Sequence, residues 1–383
     1  MIPYGRQDIT DDDIRAVEAV LRSDFLTQGP AVPGFEQAVA AHCGVAHAVA
    51  TNSATSALHI ACMALGLGPG DRLWTTPITF VASANCGLYC GAQVDFVDID
   101  PLTYNLSVEH LVAKLESAEM SGTLPKVLVP VHMCGQPCDM EAIHALGQRY
   151  GFRIIEDASH AIGASFRGEP VGNCRYSDIT VFSFHPVKIV TTGEGGVAVT
   201  NDASLAADMA LLRSHGITRD AALMSQPPDG PWYYQQIALG FNYRITDIQA
   251  ALGTSQMARL AGYVERREAL VRQYDSRLAQ FPLRRPQRAD NRSSAWHLYV
   301  VRVAASDRLA VFNAMLNAGI GVNVHYTPVH LQPYYRRLGF APGQFPHAEA
   351  HGAEAITLPL HPRLSAADLD AVVDALAEAV KAG

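Results

Sequence analysis

The stretch Asp178-Ile179-Thr180-Val181-Phe182-Ser183-Phe184-His185-Pro186-Val187-Lys188 decides how the rest of the chain is read. Ile179 to Phe182 is apolar and β-branched, the pattern of a buried strand. Thr191-Thr192-Gly193-Glu194-Gly195-Gly196 then turns the chain into a second such run, Val197-Ala198-Val199-Thr200. A lysine between two core strands is unfavourable unless it is neutral, paired or used covalently. A desolvated lysine whose pKa falls can form a Schiff base with a carbonyl. An ordinary loop lysine is the plain alternative.

Working outward, short apolar runs recur at 46–51, 72–76, 94–99, 126–132 and 153–156, ahead of the two just quoted. Helix-period segments lie between several of them, at 54–67, 81–91, 108–115 and 140–150. Strand-helix alternation with continuous apolar strands predicts an α/β fold with a mainly parallel seven-stranded sheet covered on both faces. The last two runs are joined too closely for a helical crossover, so one neighbour in the sheet is expected to be antiparallel. Helices are also predicted at 11–21, 34–42 and 205–214. A long irregular stretch follows at 216–240, then one helical block at 247–278. A strand at 297–303 and helices at 308–318 and 366–380 complete a smaller α+β part. The organisation expected is an N-terminal arm (1–33), a large domain (34–255) and a small C-terminal domain (256–383).

Composition excludes several classes. The chain of 383 residues is 49% hydrophobic and 17% charged, which fits a globular enzyme and not a disordered chain. A net charge of −8 without a basic cluster argues against nucleic acid as a partner. The first residues lack the apolar segment of a signal peptide, and no run is long enough to span a membrane. Seven scattered cysteines fit reduced thiols in a cytoplasm. Cys86/Cys90 and Cys134/Cys138 are spaced too widely for the usual zinc knuckle, so no metal is expected.

Ligands of open α/β sheets sit beyond the carboxyl ends of the strands. The first run ends in Asn52-Ser53-Ala54-Thr55-Ser56 at a helix start, which makes either an anion site or an ordinary N-cap. The second ends near Phe80, an aromatic that could stack on a planar ring. The fifth ends in Asp157, a dry carboxylate that needs a positive partner, either a protonated pyridine nitrogen or an arginine. The sixth delivers Ser183 and Lys188. A phosphate cradle, a stacking ring, a pyridinium carboxylate and a Schiff-base lysine are the parts that pyridoxal 5′-phosphate (PLP) requires, and here they follow one another at successive strand ends.

These motifs resemble the sugar-nucleotide aminotransferases of the DegT/DnrJ/StrS type, a branch of the aspartate aminotransferase-like, fold-type I PLP enzymes. The resemblance covers nearly the whole chain. It rests on Thr27-Gln28-Gly29-Pro30, Asn52 to Leu58, Glu156-Asp157-Ala158, Ser183-Phe184-His185-Pro186 with Lys188, Gly193 to Gly196, Gly240 to Arg244, and His325-Tyr326 with Pro328-Val329-His330. It implies that Lys188 carries PLP and shuttles protons, Asp157 pairs with the pyridine nitrogen and Phe80 stacks on the ring. His160 stands beside the phenolic oxygen, where many members have Gln. Ser53, Ala54, Thr55 and Ser183 would hold the phosphate. Asn242 would reach it from the neighbouring subunit of a homodimer with shared active sites. Tyr4, Phe25, Leu26, Thr27, Ser56, His325, Tyr326 and Pro328 would line the nucleotide-sugar site. The segments 2–7 and 23–30 resemble most the members that aminate C4 of a UDP-linked 4-keto-6-deoxy-N-acetylhexosamine, with L-glutamate giving 2-oxoglutarate, for pseudaminic-acid-type surface glycans. Other UDP- or dTDP-linked C3 or C4 aminations, and a PLP-dependent sugar 3-dehydratase, are the rival chemistries. Relatives with dehydratase chemistry have His in place of Lys188. A non-catalytic sensor would need a basic DNA-binding module. His185 has no assigned role, and His325 and His330 could equally be core histidines.

Overall fold

The seven apolar runs form one sheet in the computed structural model, which describes residues 1–381. Residues 382 and 383 of the expected small domain lie outside the described residues. The strands are β1 (His47–Thr51), β2 (Arg72–Thr75), β3 (Gln93–Phe96), β4 (Val127–Val129), β5 (Arg153–Asp157), β6 (Ile179–Ser183) and β7 (Gly196–Thr200). Their order across the sheet is β1-β7-β6-β5-β4-β2-β3. The pairs from β6 through β3 are parallel. β7 runs antiparallel to both β1 and β6, as its short connection from β6 requires.

Alternation along β6 shows why the runs are apolar throughout. Ile179 and Val181 face one core with Leu58, Leu73 and Ile155. Phe182 and Phe184 face the other, with Phe35, Val39 and Val197. Both faces are therefore buried, and each such side chain contributes roughly 1.5–3 kcal/mol of burial free energy. The helices packed on the sheet include α2 (Ala31–Cys43), α3 (Ala54–Ala64), α4 (Ala82–Tyr89), α5 (Val108–Ser121), α6 (Met140–Tyr150) and α7 (Ala203–Arg213), while α1 (Asp11–Leu21) packs against the helix at Asp247–Met257.

Register sets up the ligand end of the sheet. Gly196 pairs with Thr51 on one side and Ser183 on the other. A Cβ at Gly196 would lie 2.4 Å from the Ala54 amide nitrogen. Only glycine lets the first turn of α3 come down onto the strand ends.

The helical block expected at 247–278 is two helices, α8 (Asp247–Met257) and α9 (Leu260–Arg277). At the break Arg259 leaves helical geometry, and its guanidinium donates to Asp13 Oδ2 (2.6 Å), Thr10 Oγ1 (2.8 Å) and Tyr263 Oη (2.9 Å). The break thus fastens the N-terminal segment. The stretch at 216–240, expected to be irregular, contains a short antiparallel pairing of Ile217–Thr218 with Gln235–Gln236.

Asp247 is a second fastening. It is buried, and its two carboxylate oxygens accept from the Gly29 and Ala31 amides, each at 2.8 Å, capping α2. Asp247→Ala strands two backbone donors and should lower the unfolding free energy by about 2 kcal/mol, read as a reduced denaturant midpoint with unchanged slope. An unaltered midpoint would refute the capping account. Residues 2–4 pair with the C-terminal part instead. The Ile2 amide donates to Gly319 O, the Gly321 amide to Ile2 O, and the Leu360 amide to Tyr4 O. A third core, including Leu270, Tyr274, Tyr299, Val301, Ile356 and Leu376, surrounds the strand pair Tyr299–Arg302 and Ala355–Leu358.

Candidate active site

The strand ends bring most of the expected residues together. At β1, Ser53 caps α3 and accepts from the Ser56 amide at 3.2 Å. The amides of Ala54 and Thr55 are in the first turn and have no intrahelical acceptor by geometry. Ser183 closes β6 one strand beyond Gly196, so both groups flank the same gap. Two outward amides at a helix start with a neighbouring hydroxyl suit a phosphate.

Asp157 ends β5 and is 4% exposed. Its Oδ2 accepts from Ser83 Oγ at 2.6 Å and its Oδ1 from the Ser159 amide at 3.0 Å. Among the described residues no cationic side chain makes an ion pair with it, so the arginine alternative is not realised. A buried carboxylate held by neutral donors can accept a protonated ring nitrogen.

Lys188 sits on the turn after β6, where its amide donates to His185 O at 2.9 Å. Burial penalises the ammonium and lowers its pKa to about 8, although the charge of Asp157 opposes the shift. A lowered pKa leaves more free amine at neutral pH. In the cofactor-free protein, capture of PLP, followed by absorbance, should accelerate with pH and level off above about 8. Acceleration continuing to about 10.4, the value of an exposed lysine, would contradict the desolvated site.

Histidines surround this amine. His160 and His297 are both buried, with ring centroids 4.4 Å apart. Their pKa values are pushed well below the usual range, by burial first and by Lys188 next. The same causes push His325 down to about 3. Burial beside the lysine thus favours the neutral form of these rings. His160 Nε2 lies 3.3 Å from Tyr326 Oη. Tyr326 in turn lies 6.4 Å from Phe80 (ring centroids), whose ring is 60% exposed and open to a stacking partner. Tyr4 packs on His325 at 5.5 Å. A Cβ on Gly5 would lie 3.4 Å from Val187 Cβ, so the N-terminal segment borders the lysine turn.

The other expected residues are placed as follows. Ser56 is buried, and its hydroxyl is taken by Asn52 Oδ1 (2.7 Å) and Ser53 Oγ (3.0 Å), which makes it part of the α3 cap and not a sugar contact. Pro328 is buried against Gly352, where a Cβ would come within 2.5 Å of its ring, so it packs the segment behind Tyr326. Phe25, Leu26 and Thr27 are exposed and are tied to α8 and Thr246, away from the lysine within this chain. Asn242 is also exposed, and its carbonyl accepts from Asn52 Nδ2 at 3.5 Å. His330 is a core histidine bonded to Glu349 at 3.0 Å. His185 is exposed and turned toward Glu194 (3.9 Å). Sequence reasoning missed His297 and Ser83. Neither lies in a strand-end motif, and only the strand at 297–303 hinted that His297 opens a buried element. Among the described residues no group of His, Cys, Asp or Glu is arranged to hold a metal, and Cys86 and Cys138 each donate to a nearby carbonyl.

A mainly parallel sheet with these groups at its carboxyl ends is the arrangement of the PLP-dependent transferases of fold type I. The chain belongs to the DegT/DnrJ/EryC1/StrS aminotransferase family, whose model matches residues 7–377. It is 38% identical to the spore coat polysaccharide biosynthesis protein SpsC of Bacillus subtilis, over 99% of this chain and 97% of that protein. It is 40% identical to the GDP-perosamine synthase of Caulobacter vibrioides, over 89% and 88%. Its structure superimposes on PseC of Helicobacter pylori, an aminotransferase involved in pseudaminic acid biosynthesis, with a TM-score of 0.91, 29% identity and full coverage of both chains. It is a sugar aminotransferase with PLP as its cofactor. No helix among the described residues is long and apolar enough to cross a membrane.

Proposed function

We propose that the protein transfers the amino group of L-glutamate to C4 of a UDP-linked 4-keto-6-deoxy-N-acetylhexosamine, in the making of a pseudaminic-acid-type glycan. The observation that carries transamination is the pairing of a low-pKa Lys188 with a buried Asp157 that has no cationic partner among the described residues. The full-length likeness to PseC supports the sugar.

Bound PLP supplies a carbonyl for the lysine and an electron sink next to the reacting carbon. The chain's residues do the rest. Lys188 Nζ would hold the cofactor through its carbonyl and, once free, would serve as the base that takes up a proton and the acid that returns it. Its pKa of about 8 suits both directions near neutral pH. Asp157 would keep the ring nitrogen protonated, and His160 would meet the phenolic oxygen. Phe80 covers one ring face. Ser53, Ala54, Thr55 and Ser183 receive the phosphate. Tyr4, His325 and Tyr326 face the sugar.

Phe25, Leu26, Thr27 and Asn242 take their roles in a homodimer, each chain lending them to its partner's site. Trp232 (69% exposed) and Leu239 (77%) on the neighbouring hairpin are apolar surface that a second copy would cover. Seven free cysteines fit a cytoplasmic enzyme.

The relationship to GDP-perosamine synthase favours a second reading, a GDP-linked 4-keto sugar. Incubating holoenzyme and glutamate with UDP-, dTDP- and GDP-linked 4-keto-6-deoxy sugars, followed by NMR of the product, separates these. A UDP-linked 4-amino product is expected. Turnover confined to the GDP- or dTDP-linked sugar would sink the UDP reading.

A further inference from the structure

The hydrogen bonds behind Asp157 form a directed relay that the strand-end motifs do not contain. Ser83 is fully buried on α4, and its Oγ lies 2.6 Å from Asp157 Oδ2. Thr79, 3% exposed, places its Oγ1 2.7 Å from the same Ser83 oxygen. An ionised carboxylate can only accept, so Ser83 must spend its single proton on Asp157. Its oxygen is then left to accept from Thr79, which fixes the order Thr79 to Ser83 to Asp157. The alternative acceptor for Ser83, Phe80 O at 3.3 Å, is much the longer contact. A hydrogen bond to a charged group in a dry site is strong, and it orients the carboxylate.

From this geometry we infer that Ser83 is a positioning residue for the transamination, aiming the Asp157 carboxylate at the cofactor's ring nitrogen through the Thr79 relay. The inference rests on the role proposed above for Asp157. A hydroxyl suits this place better than a cation would. An arginine here would neutralise Asp157 and compete with the ring nitrogen, whereas a neutral donor steers the carboxylate and leaves its charge uncompensated. The relay also sits on the segment that presents Phe80, so residues 79–83 set both the ring's stacking face and its nitrogen partner. Of the titratable groups around Asp157, Lys188 and Tyr326 sense its charge directly, and His160, His297 and His325 face Lys188.

The test compares Ser83→Ala, Ser83→Thr, Thr79→Val and Asp157→Asn with the parent by cofactor titration and by the pH dependence of the visible absorption of the loaded enzyme. Ser83→Ala should weaken PLP binding about tenfold. It should also raise the midpoint of the absorption titration, which reads the Schiff-base nitrogen: a less well-aimed carboxylate holds the ring proton less firmly, and a ring with less positive charge withdraws less from that nitrogen, which then keeps its own proton to higher pH. Ser83→Thr should restore both, and Thr79→Val should move them the same way by less. If Ser83→Ala leaves affinity and midpoint at parental values while Asp157→Asn changes them, the relay is wrong and the Asp157 role stands. If Asp157→Asn also changes neither, the Asp157 role itself has failed and the relay falls with it. Should Ser83→Ala not fold, the decision passes to Thr79→Val, and a parental midpoint in that variant overturns the inference.

Discussion

Lys188→Ala is expected to lower transamination at least about 10⁴-fold while leaving the fold and non-covalent cofactor binding in place. The physical case rests on what this amine does and on how little the fold depends on it. Nζ takes part in no ion pair among the described residues, and the turn that carries it is held by its backbone and by the burial of Ile189 and Val190. Removal therefore spares the core and the α3 cradle. What disappears is the nucleophile and the proton carrier together, and no neighbour can replace it. His160, His297 and His325 all have pKa values driven far below neutrality, so they are weak bases. The measurement is single-turnover conversion of the bound cofactor to its amine form after mixing with L-glutamate. Conversion within tenfold of the parent would remove Lys188 from the mechanism.

Asp157→Asn should have the second largest effect, a loss of about 10²–10³-fold in turnover with a smaller loss in cofactor affinity. The amide matches the carboxylate in size and keeps one acceptor oxygen, enough for the Ser159 amide, while its NH2 can donate to the Ser83 hydroxyl oxygen in place of accepting from it. It cannot hold a protonated ring nitrogen, because its charge is gone. Electron withdrawal from the reacting carbon then fails at the step where it is needed. The split between kcat and binding is the informative readout. A variant that binds PLP poorly but turns over normally when saturated would assign Asp157 to binding alone.

Much of this site was legible from residue order because the fold is parallel. Every strand of this sheet but β7 has its carboxyl end on the same side, so Asn52-Ser53, Phe80, Asp157 and Ser183 with Lys188 fall on one edge once the alternation is recognised. Periodicity gave less at 247–278. The break at Arg259 depends on Asp13 and Thr10, far away in sequence. The placing of Ser56 was not legible for a related reason. A serine four residues after Asn52 can face outward or cap the helix, and only the bonded geometry chooses. Pro328 likewise reads as a site residue until Gly352 is seen packed against it.

The sequence by itself determined the α/β class, the seven strands, the reversal at β7, and the lysine and carboxylate to which the proposed transamination is assigned. Each of these follows from local pattern, meaning apolar runs, the length of a connection, and a costly charge at a strand end. Only the tertiary structure decided the state of those groups. It left Asp157 without a cationic partner among the described residues, drew Lys188 down to about 8 by burial, and set His297 from the C-terminal part against His160. It also revealed the hydroxyls of Ser83 and Thr79 standing behind the carboxylate. Ionisation and hydrogen-bond partners depend on which distant groups share a dry space, and sequence spacing carries no record of that.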